Sequence, residues 1–169
     1  MQYRVNPRNG DRISALGLGC MRFPGTFGRP DPRQARQIIS RAVELGINYL
    51  DTAYLYPGNE ACVGEALEEL GLRERVLIAT KLPHGSVRDS ADLDRIFEEQ
   101  LRRLRTDHID YYLIHNVTSP AQWERLRDLG IEAWIARQRE AGRIRQIGFS
   151  YHGSEGDFRN RPFKNLFKL

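Results

Sequence analysis

The sequence predicts an α/β fold built on a parallel sheet, and three observations carry that expectation. Short apolar runs alternate with single helical segments at intervals of about 30 residues, the period of right-handed βαβ units. Capping signals mark helix starts, and a glycine follows the first helix. The chain has 169 residues, 40% of them hydrophobic and 28% charged, which suits one domain with a real core.

In chain order, residues 3–6 and 12–14 flank the turn signal Asn9-Gly10-Asp11 and read as a small hairpin. Residues 15–19 are the first short strand of the repeating pattern. Asp31-Pro32-Arg33-Gln34 supplies an N-cap, a proline at the first helical position and a Gln three residues on. Ala35, Ile38, Ile39, Ala42 and Val43 then recur at helical spacing, and Gly46 ends the helix before strand 47–51. Helix 59–70 turns Val63, Ala66, Leu67 and Leu70 to one face and leads to strand 76–81. Helix 91–104 points Leu93, Ile96, Phe97, Leu101 and Leu104 inward and precedes strand 109–115. Ser119-Pro120-Ala121-Gln122 is a second capping box, and Gly130 splits the fourth helical segment into 121–129 and 132–141, ahead of strand 145–150. Trp123 and Trp134 on that split segment read as packing residues. The domain is expected to span 1–156, with 157–169 a basic C-terminal tail in which Phe163, Leu166 and Phe167 fit one amphipathic turn.

Charge and cysteine usage exclude several classes. The net charge of +4 comes wholly from Arg159, Arg161, Lys164 and Lys168, since residues 1–158 balance 22 acidic against 22 basic side chains. A neutral body with interspersed signs is not a nucleic-acid surface. No run approaches the roughly 18 apolar residues of a membrane span, and the start Met1-Gln2-Tyr3-Arg4 lacks the apolar run of a signal peptide. A cytoplasmic protein with no membrane and no nucleic-acid partner is expected. Two cysteines, Cys20 and Cys62, are too few for a disulfide framework, a four-thiolate zinc site or an iron–sulfur cluster.

Residues 1–158 hold 21 arginines and a single lysine, Lys81. A site wanting a compact ammonium explains that choice, and so does chance. In parallel α/β folds function collects where strands end at their carboxyl side. The predicted strands end at Cys20-Met21, Asp51, Lys81, His115 and Ser150, with Tyr54 and Tyr56 just past Asp51. Singly, Asp51 as a loop cap, Lys81 as a rim cation and His115 as a core histidine are all ordinary. Together, three successive strands deliver an acid, an ammonium and an imidazole to one rim. A nearby ammonium lowers a phenol from its usual value of about 10 toward the range of a general acid, and a neutral imidazole donates to a carbonyl oxygen. That is equipment for protonating an oxygen as negative charge develops on it.

There is no His-Glu-x-x-His zinc pattern, no Gly-x-Ser-x-Gly elbow and no phosphate-binding P-loop. Gly17-Leu18-Gly19 lacks the third glycine of a dinucleotide turn, and both glycines read as permitting close packing. His84 lies near Lys81 in sequence, His108 reads as helix-to-strand surface, and His152 stays unassigned.

Asp51-Thr52-Ala53-Tyr54-Leu55-Tyr56, followed by Asn59-Glu60 and Gly64, resembles the aldo/keto reductase signature, in which an Asp precedes the catalytic Tyr by five residues. Ala79-Thr80-Lys81 resembles that family's lysine strand, Asp110-Tyr111-Tyr112-Leu113-Ile114-His115 its histidine strand and Ile147-Gly148-Phe149-Ser150 its fifth strand. Cys20-Met21-Arg22-Phe23-Pro24 and the run from Gly148 to Ser154 look most like the bacterial branch that carries a C-terminal iron–sulfur module, of which nothing is present here.

The resemblance implies an incomplete (β/α)8 TIM-type barrel: an N-terminal hairpin, about five parallel strands and four intervening helical segments. It implies an NAD(P)H-dependent carbonyl oxidoreductase acting on a small aldehyde or ketone, or a fragment of one, with NADP(H) ahead of NAD(H). Tyr56 is then the proton donor, Asp51 and Lys81 tune it, and His115 orients the carbonyl. Ser150, Asp51 and Met21 contact the cofactor, and Tyr54, His84 and Asn116 line the substrate pocket. Tyr151 stands where many members carry Asn. The alternative is a non-enzymatic binding or assembly module. Five strands leave two sheet edges unpaired, which implies self-association or a loosely packed monomer that binds NADPH weakly.

Overall fold

A computed structural model describes residues 1–153 together with residues 155 and 158. The predicted tail with Phe163, Leu166 and Phe167 and the four surplus cations lies outside the described residues.

Strands β1 (Tyr3–Val5) and β2 (Arg12–Ser14) form the expected antiparallel hairpin. After β3 (Leu18–Gly19) comes a 3-10 turn over Cys20–Arg22, then a small hairpin of β4 (Gly25–Thr26) and β5 (Arg29–Pro30) that no sequence signal announced. The rest alternates as α1 (Pro32–Glu44), β6 (Tyr49–Asp51), α2 (Asn59–Leu70), β7 (Leu77–Leu82), α3 (Ser90–Leu104), β8 (Ile109–Ile114), α4 (Pro120–Asp128), α5 (Ile131–Glu140) and β9 (Ile144–Phe149). The Asp31 carboxylate accepts from the Gln34 N–H at 3.0 Å, which fixes the start of α1. Gln122 Oε1 accepts from the Ser119 N–H at 3.2 Å and does the same for α4. No described helix is long and apolar enough to cross a membrane.

Strands β3, β6, β7, β8 and β9 make one parallel sheet in chain order. Register pairs Leu50 with Ile78, Thr80 with Tyr112 and Ile114 with Phe149 on one face. Leu50, Ile78, Thr80, Leu82, Tyr112 and Ile114 are all fully buried there. On the opposite face Tyr49, Asp51, Tyr111, Leu113 and Gln146 stay partly exposed. A doubly wound sheet reverses its strand order and covers both faces. A sheet that keeps chain order and buries one face under helices is an arc of a (β/α)8-type barrel.

The core therefore sits between sheet and helices. Phe97 packs edge-on against Tyr112 and Trp134, with centroids 5.2 and 5.4 Å away. Such pairs add about 0.5–1.5 kcal/mol each beyond the area they bury. Trp123 and Trp134 are 1% exposed, and the Trp134 indole N–H donates to Asp94 Oδ1 at 2.7 Å, so both are packing residues. A Cβ on Gly64 would stand 2.4 Å from the Arg103 carbonyl oxygen. Glycine is required there because the backbones of α2 and α3 meet.

Several expectations need correction. The first strand is shorter than 15–19, because Ser14 Oγ donates to the Leu16 carbonyl at 2.6 Å and draws that segment into a turn. The second begins at Tyr49, because the Ile47 N–H donates to the Ala42 carbonyl at 2.9 Å to close α1. A side chain at Gly17 would crowd the Tyr49 ring at 3.3 Å, but Gly19 has open space around it, so only Gly17 is a packing glycine. His108 is not surface: its side chain is 14% exposed and meets Asp107 at 2.7 Å and Arg73 at 2.9 Å.

Candidate active site

On the open face of the sheet, side chains of β6, β7 and the residue after β8 climb to one rim. Asp51 pairs in register with Ala79, two residues before Lys81, and Lys81 pairs with Leu113, two residues before His115. Because strand side chains alternate with a period of two, Asp51, Lys81 and His115 share the inner face. The His115 N–H donates to the Leu82 carbonyl at 2.9 Å and continues the ladder past the strand end.

Lys81 is nearly enclosed, with a side chain 6% exposed against 36% for Asp51. Its Nζ donates to Asp51 Oδ1 and to the Thr52 carbonyl, both at 2.7 Å. A buried ammonium needs such partners to stay charged. Tyr56 sits on the loop after β6, which coils through a bond from the Tyr56 N–H to the Ala53 carbonyl and one from the Asn59 N–H to the Tyr56 carbonyl, each 3.1 Å. Its ring centroid is 5.3 Å from Lys81 Nζ and 6.0 Å from the His115 ring, which it meets edge-on at 88°.

His115 Nδ1 is buried without a hydrogen-bond partner. Burial first, then the charge of Lys81, holds the imidazole below its usual value, with His152 and His84 acting in the same direction and Asp51 against them. The ring is neutral near pH 7, with one nitrogen a donor and the other an acceptor. His84 lies in a 3-10 turn after β7, and its Nδ1 is also buried and unpartnered. Burial and then Arg125 depress its titration, and the Asn116 backbone faces its ring. The Arg125 guanidinium donates to the His84 carbonyl and so fixes that turn.

Asn116 takes a left-handed backbone, φ +55°, and its N–H donates to Ser150 Oγ at 2.8 Å. Ser150 is locked between β8 and the next turn: its N–H donates to the Ile114 carbonyl and its carbonyl accepts from the Val117 N–H. Met21, 53% exposed, lines a cleft of about 250 Å³ together with Tyr56, Phe23, Pro30 and Pro57. Cys20 next to it is inert as a nucleophile, since burial and then the Asp51 charge push its thiol up to about 12.

Asp51, Tyr56, Lys81 and His115 thus come together, with the charge of His84 acting on the imidazole and Asn116 bonded to Ser150 just past the end of β8. Tyr54 does not join them. Its ring lies 4.4 Å from the Arg103 guanidinium carbon, with Arg95 beside its hydroxyl, so it faces α3, and it lines a cleft there together with Tyr56, Pro57 and Arg103.

Sequence reasoning gave no role to four polar residues beneath the rim. Thr52 Oγ1 donates to Asn59 Oδ1 at 2.6 Å, and Asn59 Nδ2 donates to the Cys20 carbonyl at 2.7 Å, which pins the loop whose carbonyl holds Lys81. Glu60 and Gln100 are buried below β7. Gln100 carried a legible signal, a polar residue on the apolar face that Leu93, Ile96, Phe97 and Leu104 give to α3. Among the described residues no group of three or more His, Cys, Asp or Glu side chains is placed to hold a metal ion.

The family model described as the aldo/keto reductase family matches residues 15–156. The aldo-keto reductase YhdN of Bacillus subtilis is 33% identical over 160 residues, covering 89% of this chain and 47% of that protein. Among solved structures, the holo form of an aldo-keto reductase from Bacillus halodurans superposes with a TM-score of 0.71 at 37% identity, over 89% of this chain and 50% of that one. An aldo-keto reductase from Klebsiella pneumoniae in complex with NADPH gives a TM-score of 0.69 at 29% identity, over 89% and 49%. The chain spans about half the length of these relatives.

Proposed function

The chain belongs to the aldo/keto reductase family, and from that premise we propose that its rim is the proton-transfer half of an NADP(H)-dependent carbonyl reductase site. One observation carries the reading: the enclosed Lys81 ammonium, bonded to Asp51 and Thr52, lies 5.3 Å from the centroid of Tyr56, whose ring meets His115 edge-on.

The residues fit part of a nicotinamide cofactor. Ser150 Oγ accepts from the Asn116 N–H and keeps its own proton to donate to an amide oxygen. Met21 borders the same cleft as Tyr56. NADPH is favoured because the Klebsiella pneumoniae relative is in complex with it. When bound, NADPH supplies a hydride to the carbonyl carbon.

As charge develops on the carbonyl oxygen, the Tyr56 hydroxyl transfers its proton to that oxygen and the product is the alcohol. The Lys81 ammonium stabilises the phenolate left behind, and Asp51 compensates the ammonium. His115, neutral, donates a ring N–H to the same oxygen and orients the carbonyl. The substrate class is a small aldehyde or ketone. Self-association belongs to the same reading, because the outer edges of β3 and β9 carry no strand partner among the described residues.

Saturable oxidation of NADPH that depends on an added carbonyl compound tests the function. Lys81→Arg should lose turnover although it keeps the charge, because a planar guanidinium does not fit between Asp51 and the Thr52 carbonyl. Near-normal turnover in that variant overturns the reading. Sedimentation tests self-association, and a monomer at all concentrations removes it.

A further inference from the structure

Glu60 opens the second residue of α2, yet it is 1% exposed. A carboxylate at that depth requires donors, and it has three. Oε1 accepts from Thr80 Oγ1 at 2.6 Å and from Gln100 Nε2 at 2.8 Å, and Oε2 accepts from Arg103 Nη1 at 3.3 Å. Burial pushes this carboxyl upward, and the bonds from Thr80 and Gln100, with the Arg103 charge, act against the shift.

The three donors lead to two different places. Thr80 is the chain neighbour of Lys81, and Gln100 Nε2 also contacts the Lys81 carbonyl at 3.2 Å and Thr80 Oγ1 at 3.1 Å. Gln100 is itself held by the Tyr112 hydroxyl at 2.7 Å. On the other side, Arg103 is steadied by Glu99 at 2.8 Å and lays its guanidinium over the ring of Tyr54, two residues before Tyr56. One buried carboxylate is therefore bonded both to the strand segment that carries the lysine and, through a stacked arginine, to the loop that carries the tyrosine.

We propose that Glu60 is a positioning residue: it ties β7 at Thr80–Lys81 to the 52–58 loop through Arg103 and Tyr54 and thereby fixes the placement of Tyr56 against Lys81. This deepens the reductase reading and rests on it. At 1% exposure Glu60 acts through its partners and is not a catalytic residue. The groups that face Tyr56 directly are Lys81, with its partner Asp51, and His115.

The test is tyrosine ring-carbon NMR on the full chain, with the Tyr56 signal assigned by its loss in Tyr56→Phe. Lys81→Met should move the Tyr56 signal. Glu60→Gln and Arg103→Met should each move it as well. Asp110→Asn, a substitution at the far end of β8, should leave it in place although it destabilises the fold. Arg103 is 29% exposed on its side chain, so its variant keeps the test open where Glu60→Gln does not fold. In a carbonyl-dependent NADPH assay, both variants should lower kcat by about tenfold or more with KM within about twofold, as expected for misplacement of reacting groups. A Tyr56 signal that answers to Lys81→Met but not to Glu60→Gln or Arg103→Met overturns the proposal and leaves the reductase reading standing. A signal that ignores Lys81→Met removes the reductase reading and the proposal with it.

Discussion

At the amino end of β8, Asp110 accepts from the Ile78 N–H at 2.9 Å and from Arg73 at 3.0 Å, and lies 3.1 Å from Arg145. Arg73 is in turn bonded to Thr106 Oγ1 and to the Val76 and His108 carbonyls. Five residues later, past the other end of the same strand, His115 keeps a buried ring nitrogen without a partner. The base joins β7, β8 and β9 by charge: Asp110 Oδ2 takes the hydrogen bonds from Ile78 and Arg73, and its buried Oδ1 faces Arg145 as an ion pair without a hydrogen bond. The rim keeps about a third of the Asp51 side chain exposed, and its buried imidazole nitrogen is matched by no neighbour. One six-residue motif thus carries an ion-paired acid that ties strands together at its first position and the rim imidazole at its last, the bottom-to-top division of a barrel strand.

The N-terminal hairpin belongs to the base. Tyr111 donates to Asp11 Oδ2 at 2.7 Å and accepts from Asn6 Nδ2 at 3.2 Å, and Asn48 joins the hairpin through the Ser14 N–H and the Arg12 carbonyl. The polar hollow of about 130 Å³ at this end, lined by Arg73, Arg145, His108 and Asp110, is the space between these matched charges.

The comparison breaks most sharply at Tyr56. Tyr56→Phe should lower carbonyl reduction by about 10²- to 10⁴-fold, the usual worth of a positioned proton donor, with the melting temperature unchanged. Equal turnover in the two proteins would move the chemistry away from this rim. Asp110→Asn should do the reverse. It removes the charge facing a mostly buried Arg73, side chain 16% exposed, and costs about 3 kcal/mol of stability by urea denaturation. That is the low end for a broken buried pair, because Arg145 is half exposed. A variant as stable as the wild type would show that the base is not held by this acid.

The smallest effect is on pH dependence. Burial, and then a neighbouring cation, depress His115 below the value of about 6.5 that it takes in the unfolded chain. The unfolded chain then binds the proton first as pH falls. The stabilising contribution of the neutral ring is present above about pH 6.5 and is lost as pH drops through the folded value. His115→Asn should flatten this acid limb in thermal melts between neutral and mildly acidic pH. An unchanged limb would assign the loss to other groups, of which His84 shares the direction.

Legible in the chain before folding are the alternation of strands and helices, the helix caps at Asp31 and Ser119, the core face of α3 and the chain positions of Asp51, Tyr56, Lys81 and His115. These are local properties: periodicity, cap chemistry and the residue at which a strand stops are all written along the chain. Packing in three dimensions settles that Tyr54 turns toward Arg103 while Tyr56 faces Lys81, that His108 is enclosed, and that Glu60 reaches Thr80, Gln100 and Arg103. Each depends on partners 20 to 49 residues away, and whether a polar side chain is buried and matched is set by packing between helices and sheet rather than by its neighbours in sequence.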